Sequence, residues 1–291
     1  MLDLNKTIDT LVEDIYAFIS DDTRRTTESI TERSDKRITE FGERLSKLIY
    51  NKLYGPSRTP NLSLSQLGVP DRKLWYQTRH PELAEPLPAA AKIKFLYGDI
   101  LEELLLFLAE ESGHKVEGRQ DELDVNGVKG HRDCVIDGRL VDVKSASTYS
   151  YKKFDTGNLV NDDPFGYLDQ LGSYLSASSN DPLVKEKDLA SFLVIDKTLG
   201  NICLDTHPRT NVDYKELVAH KKKVLEQETP PTKKCYEEVP EGKSGNFKLS
   251  TGCSYCPFKQ TCWPGLRTFI YSTGPVFLTK VVREPKVVEI T

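Results

Sequence analysis

Asp133, Asp142 and Lys144 flank an Asp137-Gly138 pair, and that spacing can bring two carboxylates and an ammonium together. Asp-Gly is a favoured two-residue hairpin turn, because both positions tolerate positive φ. With those residues as the loop, Ile136 faces Arg139, Val135 faces Leu140, Cys134 faces Val141, and Asp133 falls opposite Asp142. Alternation along the strand then turns Asp142 and Lys144 to one face and Val141 and Val143 to the other. Opposed side chains on one face have Cβ atoms about 5 Å apart, and like charges so placed destabilise a sheet. A cation between them removes the conflict. A hard divalent ion, Mg²⁺ or Mn²⁺, is the natural occupant of an all-oxygen site. With Lys144 near the attacking water or the phosphate, these groups suit metal-assisted phosphodiester hydrolysis. A solvated hairpin face has the same composition, so the pair alone leaves both readings open.

Two flanking segments add polar groups. Glu102 interrupts an otherwise apolar helical stretch, beside Glu103, where either a site or plain solvation would account for it. Gln170 and Tyr174 are i,i+4 neighbours and share one helix face.

A second constellation is soft. Cys253, Cys256 and Cys262 are spaced C-x2-C-x5-C, and Cys235 precedes them by 18 residues. Clustered thiols in a chain without a secretory signal favour zinc or an iron–sulfur cluster over disulfides. Such a group would staple the C-terminal segment onto the core, since metal binding and folding are coupled. Cys134 and Cys203 fall within apolar strand patterns and read as small core residues.

The elements that must position these groups follow from periodicity. The N-terminal region is polar and helical, with Leu4, Ile8, Leu11, Ile15 and Phe18 on one stripe and a second helix over Glu28 to Leu53. Residues 55–70 read as a loop. A helix over 88–111 carries Ile93, Leu96, Ile100, Leu104 and Leu108 and stops at Gly113. Strands near 121–125, 128–136 and 139–144 are separated by Asn126-Gly127 and Asp137-Gly138. A helix is expected from Pro164 with Asp163 as N-cap. A strand pair, SFLVID and NICLDTH, comes next, then a basic-faced helix over 212–227, a turn-rich segment over 230–265 and a strand-like tail from 268. This order predicts a mixed α/β protein. We divide it into an N-terminal helical region (1–87), a catalytic core (88–232) and a cysteine-cluster segment with C-terminal strands (233–291). The 291 residues carry a formal charge of -4, which identifies no partner by itself. Without 18 consecutive apolar residues or a secretory leader, a cytoplasmic location and no membrane span are expected.

In order along the chain, G-x-x-x-E (Gly98–Glu102), G-x-x-D (Gly130–Asp133), D-x-K (Asp142–Lys144) and Q-x-x-x-Y (Gln170–Tyr174) resemble the PD-(D/E)XK nuclease superfamily, in its RecB-like branch. The resemblance spans roughly residues 90–175. It implies a restriction-endonuclease-like core, a central mixed sheet flanked by helices. It also implies Mg²⁺ or Mn²⁺ on Glu102, Asp133, Asp142 and the Val143 carbonyl. Lys144 would act on water or phosphate, and Gln170 and Tyr174 would position the DNA or the lysine. Glu102 stands where many members carry histidine, and Arg132 where the superfamily's name would put proline. The cysteine spacing is similar to the C-terminal triad of iron–sulfur nucleases in the same branch, CRISPR adaptation nucleases among them. Their fourth cysteine lies upstream of the core. Residues 67–76 here have none, so Cys235 becomes the candidate, and [4Fe-4S] is favoured over Zn²⁺.

DNA contacts are expected first at a loop holding Tyr149, Tyr151, Lys152 and Lys153, where aromatics alternate with lysines. Arg72 and Lys73, beside Trp75 and Tyr76, form a second group, and His220 to Lys223 a third. The function expected is DNA exonuclease action at linear ends, in end processing or recombination, as in the stand-alone bacteriophage exonucleases the chain resembles. The bacterial host cytoplasm would then be its location. A repair or restriction endonuclease, or an end-binding module with a vestigial core, are the alternatives. A homo-oligomer and a recombination or single-strand-binding protein are the partners considered.

Overall fold

Two tight turns set the register at the centre of the molecule. In the computed structural model, which describes residues 6–25, 32–56 and 60–290, Asn126 and Gly127 have φ of 51° and 76°, and Asp137 and Gly138 have 51° and 95°. Positive φ at both central residues matches the right-handed twist of the flanking strands.

The N-terminal region holds α1 (Leu11–Ser20), α2 (Glu32–Tyr54), α3 (Asp71–Arg79) and the long α4 (Ala89–Glu111). Leu4 and the expected start of the second helix at Glu28 lie outside the described residues. The strands β1 (Val116–Glu117), β2 (Glu122–Val125), β3 (Val128–His131), β4 (Cys134–Ile136) and β5 (Arg139–Ala146) come next. Then α5 (Thr148–Asp155), α6 (Tyr167–Ala177), β6 (Leu189–Asp196), β7 (Ile202–Pro208) and α7 (Tyr214–Glu226) complete the core. The C-terminal segment adds β8 (Glu238–Glu241), β9 (Asn246–Leu249), β10 (Arg267–Tyr271), β11 (Gly274–Lys280) and β12 (Glu289–Ile290).

The central sheet has the order β1-β4-β5-β6-β7. Only β5 and β6 run parallel, joined by the crossover that contains α5 and α6. The sheet is therefore mixed, with helices on both faces. On one face Val141, Val143, Leu193 and Ile195 bury against Ile8, Leu11, Leu101 and Leu105 of the N-terminal helices. On the other, Leu140, Ala146, Phe192 and Val194 bury against Phe154, Leu171 and Tyr174 of α5 and α6. Each fully buried aliphatic side chain contributes about 1.5–3 kcal/mol relative to exposure. The fold class is thus the expected mixed α/β, with a central mixed sheet flanked by helices. No helix among the described residues is long and apolar enough to cross a membrane.

Several elements differ from expectation for identifiable reasons. The strand expected over 128–136 is broken at Arg132 and Asp133, dividing β3 from β4. The helix expected from Pro164 begins at Tyr167, because Gly166 adopts a left-handed conformation (φ 74°). Asp163 still accepts hydrogen bonds from the Phe165, Gly166 and Leu168 amides, so it caps the turn before the helix. Ile93, placed in the apolar stripe of α4, is 66% exposed, while Leu101, Leu105, Leu106 and Ala109 form the buried face. The 55–70 loop seats Leu64 and Leu67 in the core. Beyond it, α3 had no periodic signal long enough to announce it. Part of the turn-rich 230–265 segment forms the β8–β9 hairpin, which joins a second, antiparallel sheet, β12-β10-β11-β9-β8.

Arg132 explains the strand break. Its side chain is 2% exposed and ion-paired to Asp121 (2.6 Å) and Asp181 (2.5 Å), with Nε donating to the Gly118 carbonyl. Removing one member of a buried ion-pair set leaves the others uncompensated. Arg132→Ala is therefore expected to lower unfolding free energy by about 3 kcal/mol, the lower end of the usual range because Asp121 is half exposed. Urea denaturation of the purified chain measures it; a loss under 1 kcal/mol would show that the network contributes little.

Candidate active site

The hairpin register is the one the sequence predicts: Ile136 pairs with Arg139, Val135 with Leu140 and Cys134 with Val141. There the ladder stops. Asp133 does not continue as a backbone partner of β5; its carboxylate accepts a hydrogen bond from the Val143 amide at 2.7 Å, while its own carbonyl accepts from Gln120. Within a strand one residue's N–H and C=O point to the same neighbour, so the Val143 carbonyl faces that side too.

Asp142 and Lys144 face α6. Gln170 Nε2 donates to Asp142 Oδ1 at 2.9 Å, and Lys144 Nζ stands 2.5 Å from Asp142 Oδ2. That second oxygen is buried and receives no directed hydrogen bond, so the ammonium meets it as an ion pair. Tyr174, the i+4 neighbour of Gln170, is buried beside them, and burial pushes its phenol up to about 12.

Glu102 comes from the opposite face, on α4. Gly98 lets the helix approach: a Cβ there would stand 3.0 Å from Ser145 Oγ on β5. Glu103 turns away to Arg44 (3.1 Å) and Arg119 (3.2 Å), whereas Glu102 receives a hydrogen bond from Gln120 at 3.3 Å and lies within the fields of Asp133, Asp142 and Lys144. Burial, then the charges of Asp133 and Asp142, push the Glu102 carboxyl up to about 9. Burial and the Asp142 charge push Asp133 to about 7. Lys144 is pushed up: the neighbouring carboxylates outweigh burial, which opposes them. Glu102 on α4 and Asp142 and Lys144 on the α6 face thus feel one another's charge near the open end of β4, while among the described residues no three acidic side chains stand close enough to enclose an ion.

Two further residues belong here. The Tyr167 ring lies under Lys144 Nζ, 5.1 Å from its centroid. It precedes Gln170 by three residues on the same helix face, a spacing that could have drawn attention to it. Gln120 carried no sequence signal, because a loop places it.

The sequence-nominated DNA contacts fare differently. Residues 148–155 form α5 rather than a loop, since Ser147 caps the helix at the Ser150 amide. Tyr151 is 7% exposed in the core, and Lys153 pairs with Asp162 at 2.6 Å. Tyr149 and Lys152 stay at the surface. Arg72 donates to the Pro231 carbonyl and to Cys262 Sγ (3.5 Å), and Lys73 lines the cysteine pocket. His220 and Lys221 hold Asp71 at the start of α3, and Lys222 donates to the Asn126 carbonyl.

The four C-terminal cysteines do converge. Cys235, Cys253, Cys256 and Cys262 line one small pocket with Lys73, Lys234, Lys259, Tyr236 and Trp263. Cys134 is fully buried in the core, and Cys203 lies half-buried on β7. The pocket docks on the approach to α6: Tyr236 donates from its hydroxyl to the Pro164 carbonyl at 2.5 Å, and Tyr255 meets Phe165 with ring centroids 6.2 Å apart. Among the described residues, no three His, Cys, Asp or Glu side chains stand close enough to enclose an ion as they are.

No protein-family model and no curated protein matches the chain. Among solved structures, it is similar to an alkaline exonuclease from Laribacter hongkongensis, at 17% identity and a TM-score of 0.39 over 58% of this chain and 87% of that one. It is also similar to the protein SSO0001, at 18% identity and a TM-score of 0.43 over 77% and 96% of the respective chains.

The acid cluster has a thermodynamic signature. Carboxyls whose folded pKa is raised bind more protons folded than unfolded, so stability falls as pH rises through that window. Without divalent ions the melting temperature is expected to fall from about pH 5 to pH 9, and Glu102→Gln should flatten that slope. Added Mg²⁺ or Mn²⁺ should stabilise most at the alkaline end. Differential scanning fluorimetry across pH reads all three effects, and a slope unchanged in Glu102→Gln contradicts the assignment.

Proposed function

We propose that this chain is a metal-dependent DNA nuclease, acting as an exonuclease in end processing or recombination. One observation carries the reading. Glu102, Asp133, Asp142 and Lys144 converge where the β4–β5 ladder ends, with Gln170 fixing Asp142. Clustered buried carboxylates beside a single ammonium are unfavourable for stability and useful for chemistry on a phosphodiester.

The donor set fits a hard divalent cation: three buried carboxyls lie near one another, Asp142 Oδ2 meets only the Lys144 ammonium, and burial and neighbouring carboxylates push the Glu102 and Asp133 carboxyls up. Glu102, Asp133, Asp142 and the Val143 carbonyl would hold it, with Glu102 and Asp133 drawn inward. When bound, such an ion activates water and offsets charge on the phosphate. The chain's own residues do the rest. Gln170 and the Val143 amide fix the orientation of Asp142 and Asp133. Lys144, held as an ammonium over the Tyr167 ring, supplies positive charge to the phosphate oxygens as they gain electron density. An ammonium cannot accept the water's proton, so its role here is electrostatic.

The cysteine pocket suits a soft metal group. Four thiols line it with Lys73, Lys234 and Lys259, and Arg72 donates to Cys262 Sγ; burial pushes Cys235 up to about 11 and raises Cys253 and Cys256 as well, a cost that thiolate coordination to a bound metal would offset. We assign it a [4Fe-4S] cluster ahead of Zn²⁺, with Cys235 as fourth ligand and a structural role. Freshly purified protein should be brown and contain iron; colourless protein with stoichiometric zinc would select the other metal.

The enzymatic reading is tested on end-labelled linear DNA against a closed circle, with Mg²⁺ or Mn²⁺. Nucleotide release from linear DNA alone is expected, and Asp142→Ala should lose at least about 10²-fold in rate. Cutting of the circle would make the chain an endonuclease. Undiminished activity in Asp142→Ala would remove this site from the reaction.

A further inference from the structure

A buried sulfur that carries charge is stable only with donors turned toward it. In the cysteine pocket, N–H groups act on all four sulfurs. The Tyr236 amide and the Trp263 indole bear on Cys253, the Phe258 amide on Cys256 and the Lys73 amide on Cys235. Cys262 is served by a residue 190 positions away in the chain: Arg72 Nε donates to its Sγ at 3.5 Å.

Two of these donors come from the first turn of α3. The opening amides of a helix have no partner within it. Pro70, at the N-cap, has no side-chain oxygen to offer them. The Leu74 amide returns to the Pro70 carbonyl, and the Lys73 amide before it turns to Cys235, so a sulfur caps the helix. Arg72 is fixed from several sides. Its Nη1 donates to the Pro231 carbonyl at 2.5 Å and its Nη2 to the Tyr76 hydroxyl at 3.5 Å, while its Cζ lies 5.5 Å from the Tyr76 ring centroid. Tyr76 in turn stacks on Phe258, two residues past Cys256, with centroids 5.5 Å apart.

That bracing separates Arg72 from the lysines around it. Lys73, Lys234 and Lys259 line the same pocket, but an ammonium on a flexible stem carries no fixed direction. Lys234 lies over the Trp263 ring, 3.2 Å from its centroid, and Lys259 is paired to Glu85. A planar guanidinium can hold two oxygens and still aim Nε at a sulfur. Residues 67–76 contain no cysteine, and this stretch reaches the pocket through its N–H groups instead.

We propose that Arg72 is a positioning residue of the cysteine site: its Nε fixes the Cys262 sulfur and stabilises the negative charge that ligated sulfurs carry. Metal retention then depends on it, and so does the reduction potential of a [4Fe-4S] cluster, which hydrogen bonds to sulfur tune. A donor and a positive charge both favour the reduced, more negative state. Partners that hold a metal's ligands commonly set affinity by about 10–100-fold. This role rests on the soft-metal reading of the four cysteines; nuclease chemistry has no part in it.

The test compares the full chain, purified anaerobically with the metal it holds, with Arg72→Met and Arg72→Lys. Metal loss to a chelator is expected to be about tenfold faster in Arg72→Met, with Arg72→Lys in between. The midpoint potential of the iron-bearing chain, read from bleaching of its visible absorption, should fall in Arg72→Met and recover part-way in Arg72→Lys. Arg79→Met is the packing control, because Arg79 ties the other end of α3 to the Leu225 carbonyl at 3.2 Å and lies outside the pocket lining. Both readings should there match the parent. Metal loss within about twofold of the parent in Arg72→Met overturns the proposal, as does an equal acceleration in Arg79→Met. Faster loss at an unchanged potential also overturns it, since packing alone would give that pattern. Should Arg72→Met fail to fold, Arg72→Lys decides by the same readings, and in a zinc-bearing chain the release rates decide. A parent chain with neither iron nor zinc ends the soft-metal reading and this role together; a metal-bearing parent indifferent to Arg72 ends the role alone.

Discussion

Where β4 ends, a side chain takes over from the backbone: Asp133 accepts the Val143 amide at 2.7 Å in place of the next ladder bond. That substitution lets the sheet stop without an orphaned amide, which would otherwise cost about 1–3 kcal/mol. It also opens the edge of β5, so Asp142 and Lys144 on one face and Glu102 from the other can approach one another. Had the ladder continued, backbone would fill the place where these groups meet.

Holding that arrangement requires buried charge elsewhere. Arg132, next to Asp133, is clamped between Asp121 and Asp181, which fixes the chain as it leaves the strand plane. On the helical side, Glu103 and Glu110 are tied to Arg44 and Arg119 on either side of α4. The helix is thereby held at a rotation that turns Glu102 inward. Gly130 completes the frame, since a Cβ there would stand 2.7 Å from Leu64 Cβ and 2.9 Å from Tyr174 Cε1. These ion pairs and close approaches contribute more to placing four polar groups than to net stability.

The cysteine segment reaches the acid cluster through packing. Tyr236, beside Cys235, bonds the Pro164 carbonyl, and Tyr255, beside Cys256, packs on Phe165. Phe165 contacts Tyr167, whose ring lies beneath Lys144. Gly166 sits in a left-handed turn with its backbone pressed against Gly68, so this approach to α6 has little freedom. The C-terminal segment thus bears on the same turn that sets Gln170 and Tyr167 toward β5.

The sequence by itself determined the local geometry. Asp137-Gly138 set a two-residue turn, and with side-chain alternation that turn fixed the Cys134–Val141 register and the shared face of Asp142 and Lys144. The i,i+4 spacing likewise put Gln170 and Tyr174 on one side of a helix, and the thiol spacing announced one cysteine pocket. Of the nominated basic–aromatic groups, Tyr149 and Lys152 stay exposed while others are committed within the fold, because composition does not reveal which side of a helix is covered. Tyr151 faces the core, Lys153 has Asp162, and Arg72 turns to Cys262 across 190 positions of chain. Only the tertiary structure decided that the ladder stops at Cys134, that Glu102 rather than Glu103 faces the acids, and that Ile93 and Phe95 remain exposed. Each depends on what lies opposite in space, and contacts between residues distant in the chain leave no periodic trace along it.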